Sequence, residues 1–457
     1  MLEVCVLPPE YHQFERNGRY LFIDPRNFIW FSTDDVGKLI IKLLDERAGD
    51  INDVIEGVAE KLGGKSEDDL SRISSYVVSF TQGLLKAGFL HVGAYVLRKD
   101  LPRDQLPRPQ IMYLHLSNGC NLRCPYCYNQ EHRFELKREK KELPRDTLSV
   151  KPKLEHFLRL IDQAAELGFR EIKLTGGEAL LNRDALLIAR YARHKGLYVN
   201  LLTNATLITT TQMAEQVVAS VDAVSISLDS KDPERHDAVR GVGTHGKVLA
   251  AIRLLRESGL KNLHINGVVT PMTVDSVDEL LKFTWDEIGA DQVTISGSAM
   301  QVSDPGNRWG SAGFVLNDEQ YASLDDKAYE FYRTRENGKR PPAFRNQCGI
   351  GNGLISVDSN GDVYPCQTLH EKDFLSGNVF ASDLKYVLDN SDIIKDARNT
   401  TVDTIEECNV CPVRYICSSG CRSEAWTREG SIKKRNKVLC PTFFKRSVNR
   451  LWDSLAE

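Results

Sequence analysis

The fold is decided by residues 111–127, which read IMYLHLSNGCNLRCPYC. The first six residues are mostly apolar, as expected for a buried strand. The remainder places Cys120, Cys124 and Cys127 in the spacing CxxxCxxC. Three thiolates leave one iron of a [4Fe-4S] cube without a protein ligand. The loop therefore predicts a cluster that can bind a further ligand, and not one that only stabilises the fold. A zinc site or a set of redox thiols is the alternative.

The cysteines outside this loop favour metal binding over disulfide bonds. The chain has eleven cysteines, an odd number, and no secretory apolar segment follows Met1. Seven of them lie in the last quarter of the chain, in the pattern C-x12-G-x4-C, then C-x2-C-x5-C-x3-C, then a single cysteine. These seven are Cys348, Cys366, Cys408, Cys411, Cys417, Cys421 and Cys440. Cys5 is left over, and we expect it to be an ordinary free thiol.

Length and composition indicate a multi-domain enzyme. With 457 residues, of which 41% are hydrophobic and 27% charged, the chain can form about three domains. No apolar run approaches the roughly eighteen residues of a membrane span. The net charge of -4 gives no reason to expect nucleic acid as a partner. We therefore expect a cytoplasmic protein that binds neither nucleic acid nor a membrane.

Residues 1–95 predict a small unit of strands followed by helices. Two short strand-like runs, 20–23 and 28–31, flank a turn. Apolar residues at helical spacing then predict three helices. These helices cover approximately 36–44, 51–62 and 73–84. Ser66 and Asp69 resemble a capping box before the third helix. A Pro-rich, charged stretch over 96–110 is typical of a linker.

From residue 111 onward, strand and helix patterns alternate. Apolar strand runs occur at 111–116, 171–175, 198–203, 223–228, 263–269 and 292–296. Amphipathic stretches between them predict crossover helices, and therefore a parallel α/β sheet. In barrels built this way, the chemistry lies at the carboxyl ends of the strands. The cysteine loop follows the first of these strands.

Both cysteine patterns resemble those of radical S-adenosylmethionine (SAM) enzymes that carry a SPASM domain and modify ribosomally made peptides. The resemblance implies a partial (β/α)6 barrel over 111–310, a bridging region over 311–345 and a SPASM domain over 346–457. The N-terminal unit resembles the PqqD-like, winged-helix recognition element that binds the leader of a precursor peptide, by adding it as a strand. A generic winged helix or a cap on the barrel is the alternative.

The same resemblance implies SAM and three [4Fe-4S] clusters as cofactors. The loop cysteines would hold the catalytic cluster. A first auxiliary cluster would be bound by Cys348, Cys366 and Cys421, and a second by Cys408, Cys411, Cys417 and Cys440. Fully ligated relatives have a further cysteine shortly before the position of Cys348, and residues 341–347 contain none. An open iron, ligation by Asn346 or Gln347 and, remotely, ligation by Cys5 are the alternatives.

Residues that contact SAM are also implied by the resemblance. They are Tyr126, Gly176, Gly177, Glu178, Asn204, Ser227, Asp229, Arg240 and Asn266. Glycines let a backbone approach a ligand closely, and the carboxylate of Glu178 can accept a hydrogen bond from an ammonium group. Arg240 would pair with the SAM carboxylate or shape the site, with a surface or helix-capping role as the alternative. Ser227 is preferred over Asp229 for the ribose or methionyl group.

The expected activity is peptide modification through a 5'-deoxyadenosyl radical, with a flavodoxin or ferredoxin as electron donor. Gln367 replaces the aspartate that sulfatase maturases use as a base, and an amide cannot take a proton at neutral pH. We therefore expect a thioether crosslink from a substrate cysteine to carbon. Carbon-carbon crosslinking, epimerisation and dehydrogenation are alternatives, and a non-catalytic electron-transfer or peptide-carrier protein is the contrasting class. The charged insert 129–151 is expected to be a solvated loop or a lid.

Overall fold

The computed structural model describes residues 4–47, 49–97, 109–128, 154–297, 311–335 and 344–455. The charged insert at 129–151 lies outside the described residues. So do 98–108 of the predicted linker, and the segments 298–310 and 336–343 around the predicted bridging region. In the described part of the chain, no helix has the length and apolar character needed to cross a membrane.

The N-terminal unit is a three-stranded antiparallel sheet followed by three helices. Its elements are β1 (Cys5–Val6), β2 (His12–Arg16), β3 (Arg19–Asp24), β4 (Ile29–Thr33), α1 (Asp35–Glu46), α2 (Ile51–Leu62), α3 (Glu67–Ala87) and β5 (His91–Val92). The capping box predicted before α3 is present, since the Ser66 hydroxyl accepts a hydrogen bond from the Asp69 N–H at 3.1 Å. The sequence prediction missed β2, which is a short edge strand paired with β3.

The two faces of this small sheet are covered by different parts of the chain. Phe22 packs toward the three helices and stacks on Phe31, with ring centroids 5.4 Å apart. Leu21 lies on the opposite face, where it packs with Leu451 and Trp452 of the C-terminal helix. The sheet therefore forms two hydrophobic contacts, and the N-terminal unit is docked on the C-terminal domain.

A nine-stranded sheet forms the centre of the molecule. Its strands are β6 (Ile111–His115), β7 (Glu171–Thr175), β8 (Tyr198–Thr203), β9 (Ala223–Ser227), β10 (Leu263–Val269), β11 (Gln292–Gly297), β12 (Leu354–Val357), β13 (Asp362–Tyr364) and β14 (Gly377–Asn378). The six predicted strands, β6 to β11, are present in sequence order and are parallel, which confirms the α/β architecture. Along β6, Met112 and Leu114 are fully buried in the main core, and Tyr113 points to the opposite face.

Helices cover the outer face of this sheet. They are α4 (Leu154–Glu166), α5 (Ala185–His194), α6 (Thr211–Ser220), α7 (Pro233–Arg240), α8 (Thr244–Glu257) and α9 (Val277–Lys282). The later helices are α10 (Asp318–Arg335), α11 (Leu384–Asn390), α12 (Asp392–Asn399), α13 (Arg414–Cys417), α14 (Arg422–Glu429) and α15 (Cys440–Ser454). One apolar core runs from the barrel helices through to α11 and α12.

Strand β12 joins the C-terminal domain to the barrel. It lies parallel to β6, with Ile355 opposite Met112 and Val357 opposite Leu114. The strand that leads into the cysteine loop is therefore hydrogen-bonded on both sides, by β7 and by β12. This pairing fixes the cysteine-rich C-terminal domain relative to the loop, and no pattern in the sequence predicts it.

Candidate functional site

The cysteine loop is a compact turn directly after β6. The backbone N–H of Leu122 donates to the sulfur of Cys120 at 3.3 Å, and the N–H of Cys127 donates to the carbonyl of Cys124 at 3.2 Å. Burial raises the pKa of the Cys124 thiol to about 11, Arg240 lowers it, and the two neighbouring thiols raise it again. The three sulfurs thus lie close enough to interact, as the ligands of one cluster must.

The two glycines of the GGE motif are required by the cysteine loop itself. A Cβ on Gly177 would lie 2.2 Å from the carbonyl oxygen of Gly119, and one on Gly176 would lie 2.2 Å from that of Ser117. Gly176 also has a positive φ of 137°. The two glycines were expected to let the backbone approach a ligand, whereas in the structure the group that approaches them is the backbone of the cysteine loop. Contact of these glycines with SAM stays a prediction.

Glu178 connects the carboxyl ends of β7 and β8. Its side chain is 2% exposed. One oxygen accepts from the Thr203 hydroxyl at 2.7 Å and from the Leu180 N–H at 3.1 Å, and the other accepts from the Asn204 N–H at 2.8 Å. Burial raises the pKa of Glu178, and these three hydrogen bonds lower it. A SAM ammonium group would therefore be a fourth donor to a carboxylate that already holds the site together.

Asn204 carries this network into the cysteine loop. Its amide donates to the side-chain oxygen of Asn121 at 2.9 Å and lies 3.8 Å from the sulfur of Cys120. The amide of Asn121 in turn donates to the Thr206 hydroxyl at 2.8 Å. The sequence analysis missed Asn121, although its position inside CxxxCxxC was an available signal. Asn204 therefore positions the loop through Asn121.

Asp229 is the centre of a buried ionic cluster behind the loop. It accepts a bidentate pair of hydrogen bonds from Arg240, at 2.6 and 2.9 Å, and a further bond from the Val268 N–H at 2.9 Å. The Tyr126 hydroxyl also donates to it. Arg240 is 9% exposed, so the surface role considered for it is wrong. Asp229, Arg240 and Tyr126 bind one another and hold the loop in place.

Two buried histidines lie next to this cluster and were missed by the sequence analysis. The Asp229 N–H donates to Nδ1 of His236 at 3.2 Å, and the His236 ring lies 5.4 Å from that of His245. Burial lowers the pKa of His236 to about 4. His236 is therefore a neutral acceptor in the folded protein.

Ser227 and Asn266 lie side by side on β9 and β10, where they are paired in register. Thr294 of β11 is the next residue in the same row. All three are at least partly exposed, unlike the buried ionic cluster. They therefore form a polar row across three neighbouring strands that the described residues leave partly exposed.

The C-terminal cysteines fall into two groups. In the first, burial raises the pKa of Cys421, and Cys348 and Cys366 raise it further. In the second, burial raises the pKa of Cys417 to about 12, and Cys411, Cys408 and Cys440 add to this increase. Cys5 is buried with Leu7 and Tyr20 in the N-terminal core, so it is not the missing ligand.

A single metal ion needs ligands that converge on one point. Within the described ranges, no group of three His, Cys, Asp or Glu side chains is placed to hold one ion. Thiols that bind separate irons of a cluster need no such convergence. The number of thiols in each group, three, three and four, suits the three or four protein ligands of a [4Fe-4S] cluster.

Comparison with known families agrees with this geometry. Residues 114–284 match the radical SAM superfamily, and residues 348–412 match the SPASM iron-sulfur cluster-binding domain. The chain contains a radical SAM domain and a SPASM domain. Iron-sulfur clusters and SAM are therefore its cofactors. Cys417, Cys421 and Cys440 lie beyond the matched SPASM segment.

Similar proteins have more than one activity. The chain is 26% identical over 345 residues to an AdoMet-dependent heme synthase of Methanosarcina barkeri, covering 70% of this chain and 93% of that protein. It is 28% identical over 336 residues to a PqqA peptide cyclase of Streptomyces rochei, covering 70% and 86%.

A solved structure that contains a comparable fold aligns with most of the length of this chain. The structure of Streptococcus suis SuiB bound to S-adenosylmethionine matches 95% of this chain and 99% of its own, with a TM-score of 0.55 and 18% identity. SuiB bound to the precursor peptide SuiA gives the same TM-score at 17% identity. At this level of identity the likeness shows a shared fold.

Proposed function

We propose that this protein is a radical SAM/SPASM maturase that modifies a ribosomally made precursor peptide and forms a thioether from a substrate cysteine to carbon. The main observation behind this proposal is the pairing of β6 with β12. It places the three-thiol loop and the second cysteine-rich domain on one hydrogen-bonded sheet. Relatives named PqqA peptide cyclase and the SuiB complex with a precursor peptide support a peptide substrate.

The residues around the loop divide into two roles. Glu178, Asn204, Asp229 and Arg240 hold the strand ends and the loop in one arrangement. The row of Ser227 and Asn266 supplies polar side chains for the ribose and methionyl groups of SAM. When bound, SAM and the reduced cluster would supply the chemistry: one-electron cleavage of a carbon-sulfur bond of SAM gives the 5'-deoxyadenosyl radical, which abstracts a hydrogen atom from the substrate. The buried surroundings keep water away from the reacting centre.

We infer three clusters, and the grouping of the thiols supports this count. The loop group holds the SAM-binding cluster, and the two C-terminal groups hold auxiliary clusters. The side chain of Gln367 lies 3.4 Å from the sulfur of Cys366. This residue has no carboxylate to act as a base next to the first auxiliary group, which disfavours sulfatase-type dehydrogenation.

The N-terminal unit is proposed to bind the leader of the precursor. Strand β2 is an edge of its sheet, and a groove of about 490 Å³ lies between this strand and α1. Gln13 and Phe22 line the strand side, and Lys38, Leu39 and Lys42 line the helix side. An extended peptide can add to such an edge through main-chain hydrogen bonds and place side chains in the groove.

Point substitution tests this proposal better than truncation. Removing residues 1–92 would expose Leu451 and Trp452 of the C-terminal helix, so weakened binding would have two explanations. We expect Leu39→Glu to weaken peptide binding at least about tenfold, because it places a charge in the apolar part of the groove. Leu70→Glu, at an exposed leucine of α3, is the control. Equal affinities of the two variants would contradict leader binding in this groove.

The mass and the thiol content of the modified peptide identify which reaction the protein catalyses. The DNA beside the gene is searched for a short open reading frame that contains cysteine codons, and absence of such a frame would count against a peptide substrate. The encoded peptide is co-expressed with the protein, treated with iodoacetamide and weighed. A thioether removes two hydrogens and one alkylatable thiol. Loss of two hydrogens with every thiol retained would indicate carbon-carbon crosslinking or dehydrogenation, and an unchanged mass with an inverted residue would indicate epimerisation.

Formation of 5'-deoxyadenosine separates the enzyme from an electron carrier. The anaerobically reconstituted protein is given SAM with flavodoxin, ferredoxin or dithionite, with and without the peptide. We expect 5'-deoxyadenosine in each case where the peptide is present. Its absence under all conditions would favour an iron-sulfur carrier and contradict the maturase.

Heme synthesis is a second candidate, because relatives of similar identity carry that name. A SAM-dependent conversion of a porphyrin-type precursor to heme, followed by absorbance, would support this candidate. Peptide modification without such a conversion would exclude it.

A further inference from the structure

We propose that the carboxylate of Glu424 is the fourth protein ligand at the first auxiliary site, completing the set formed by Cys348, Cys366 and Cys421. This inference rests on the SPASM domain and is independent of the peptide substrate. Seven cysteines serve the two auxiliary groups, four in one and three in the other, and Cys5 is buried in the N-terminal core. The first group therefore lacks a thiol.

The local structure places Glu424 beside the thiols. Cys421 is the N-cap of α14, and Glu424 lies three residues later in the first turn, on the same side of the helix. The Ala425 N–H donates to the Cys421 carbonyl at 3.2 Å, which closes the first turn of α14 and keeps Glu424 next to Cys421. The sequence interval therefore puts a carboxylate within reach of the third thiol.

The same turn also lies against the loop that carries Cys366. The Ser423 hydroxyl donates to the carbonyl of Thr368 at 3.1 Å. The Thr368 hydroxyl in turn lies 3.2 Å from the sulfur of Cys366. Short contacts thus connect the start of α14 to the second thiol of the group.

One oxygen of Glu424 lacks a partner. The side chain is 5% exposed. Its Oε1 accepts from the Tyr321 hydroxyl at 3.3 Å, whereas Oε2 is buried without a hydrogen bond within the described residues. The charge of Arg428, one turn further along α14, lowers the pKa of Glu424, but Arg428 forms its ion pair with Asp318 at 3.8 Å and makes no hydrogen bond to Oε2. A buried carboxylate oxygen with no donor is costly, and an iron atom at that position would neutralise it.

Gln347 is the competing ligand. It precedes Cys348, is 4% exposed, and both polar atoms of its amide lack partners within the described residues. The carboxyl group of Glu424 is favoured because it can bind iron as an anion, like the thiolate that it replaces, whereas the amide of Gln347 stays neutral. Tyr321 is then a positioning residue that orients the carboxylate through Oε1. The inference is compatible with thioether formation, because a soft substrate thiolate can replace a carboxylate oxygen on iron.

The test uses the full-length chain with Cys120, Cys124 and Cys127 replaced by alanine, so that only the auxiliary sites load iron. In this background we compare Glu424→Gln, Glu424→Cys and Gln347→Leu after anaerobic reconstitution. Iron and sulfide per chain and the electron paramagnetic resonance spectrum of the reduced protein are measured.

We expect Glu424→Gln to change the resonance of one auxiliary cluster and to lower iron by up to about four per chain. Glu424→Cys should restore the iron and give a spectrum different from that of the parent. Gln347→Leu should match the parent. The unchanged signal of the second cluster shows that each variant is folded.

An unaltered spectrum with full iron in Glu424→Gln would overturn the proposal. So would an unaltered spectrum in Glu424→Cys, or a change in Gln347→Leu that Glu424→Gln does not show. Because no readout uses SAM cleavage or peptide, failure here is distinguishable from failure of the proposed function.

Discussion

The cysteine loop of the barrel and the first auxiliary group each supply three thiols, but the polar groups around them differ. Behind the loop, both oxygens of Glu178 and of Asp229 accept hydrogen bonds from protein donors. Beside the auxiliary group, Glu424 and Gln347 keep buried atoms without partners in the described structure. The loop of the barrel is therefore held by carboxylates whose oxygens are all hydrogen-bonded, whereas two buried side chains beside the auxiliary thiols keep polar atoms that no described residue satisfies.

The largest effect should come from the loop thiols. We expect Cys124→Ala to reduce SAM cleavage at least about a thousandfold, because the cluster loses one of three ligands. Mass spectrometry of 5'-deoxyadenosine measures the effect. Cys5→Ala, at another buried cysteine, should retain cleavage. Retained cleavage in Cys124→Ala would contradict the assignment of the loop.

The ionic cluster behind the loop should dominate local stability. We expect Asp229→Ala to destabilise the fold by about 3–5 kcal/mol, because Arg240 is left as an unpaired buried charge. Glu287→Ala removes the exposed ion pair with Lys231 and should change stability by less than about 1 kcal/mol. Thermal unfolding of the two variants compares them. Similar melting temperatures would show that the buried pair contributes no more than a surface pair.

His236 should make the barrel site sensitive to acid. Its pKa falls from 6.5 in the unfolded chain to about 4 in the folded protein. Below pH 6.5 the unfolded chain binds this proton more readily, so stability is lost as pH falls toward 4, by about 3 kcal/mol.

Melting temperatures between pH 7 and pH 4 measure this loss. His236→Asn keeps an acceptor for the Asp229 N–H without titrating, so its profile should be flatter over this range. His194→Asn, at an exposed histidine, should follow the parent. Parallel profiles for all three proteins would exclude His236 as the source.

The smallest effect should come from the Tyr126 hydroxyl. We expect Tyr126→Phe to cost about 1–2 kcal/mol, because a buried, charge-assisted hydrogen bond to Asp229 is lost while Arg240 still pairs with this carboxylate. Tyr191→Phe, which removes a half-buried hydrogen bond to Asp162, should cost less. Melting temperatures that rank the two variants in the opposite order would contradict the arrangement described for Asp229.

Those parts of the site whose residues are close together in the chain could be predicted from the sequence. The loop spacing, the GGE motif after β7 and the capping box of α3 each depend on contacts over a few positions. The pairing of Asp229 with Arg240 was not predicted, although both residues were candidates, because sequence pattern does not show which buried charges face each other. The same reason explains why Asn121 and His236 were missed.

The sequence alone determined that six parallel strands alternate with helices and that ten of the eleven cysteines lie in two stretches of the chain, 120–127 and 348–440. The period of the apolar residues and the spacing of the cysteines are local properties, so they can be recognised from the sequence alone. Only the tertiary structure decided that β12 pairs with β6, that the N-terminal sheet packs on the C-terminal helix, and that one oxygen of Glu424 is buried without a partner in the turn that follows Cys421. These features depend on contacts between segments that are far apart in the sequence. No local pattern of residues shows which of those segments pack together and exclude water.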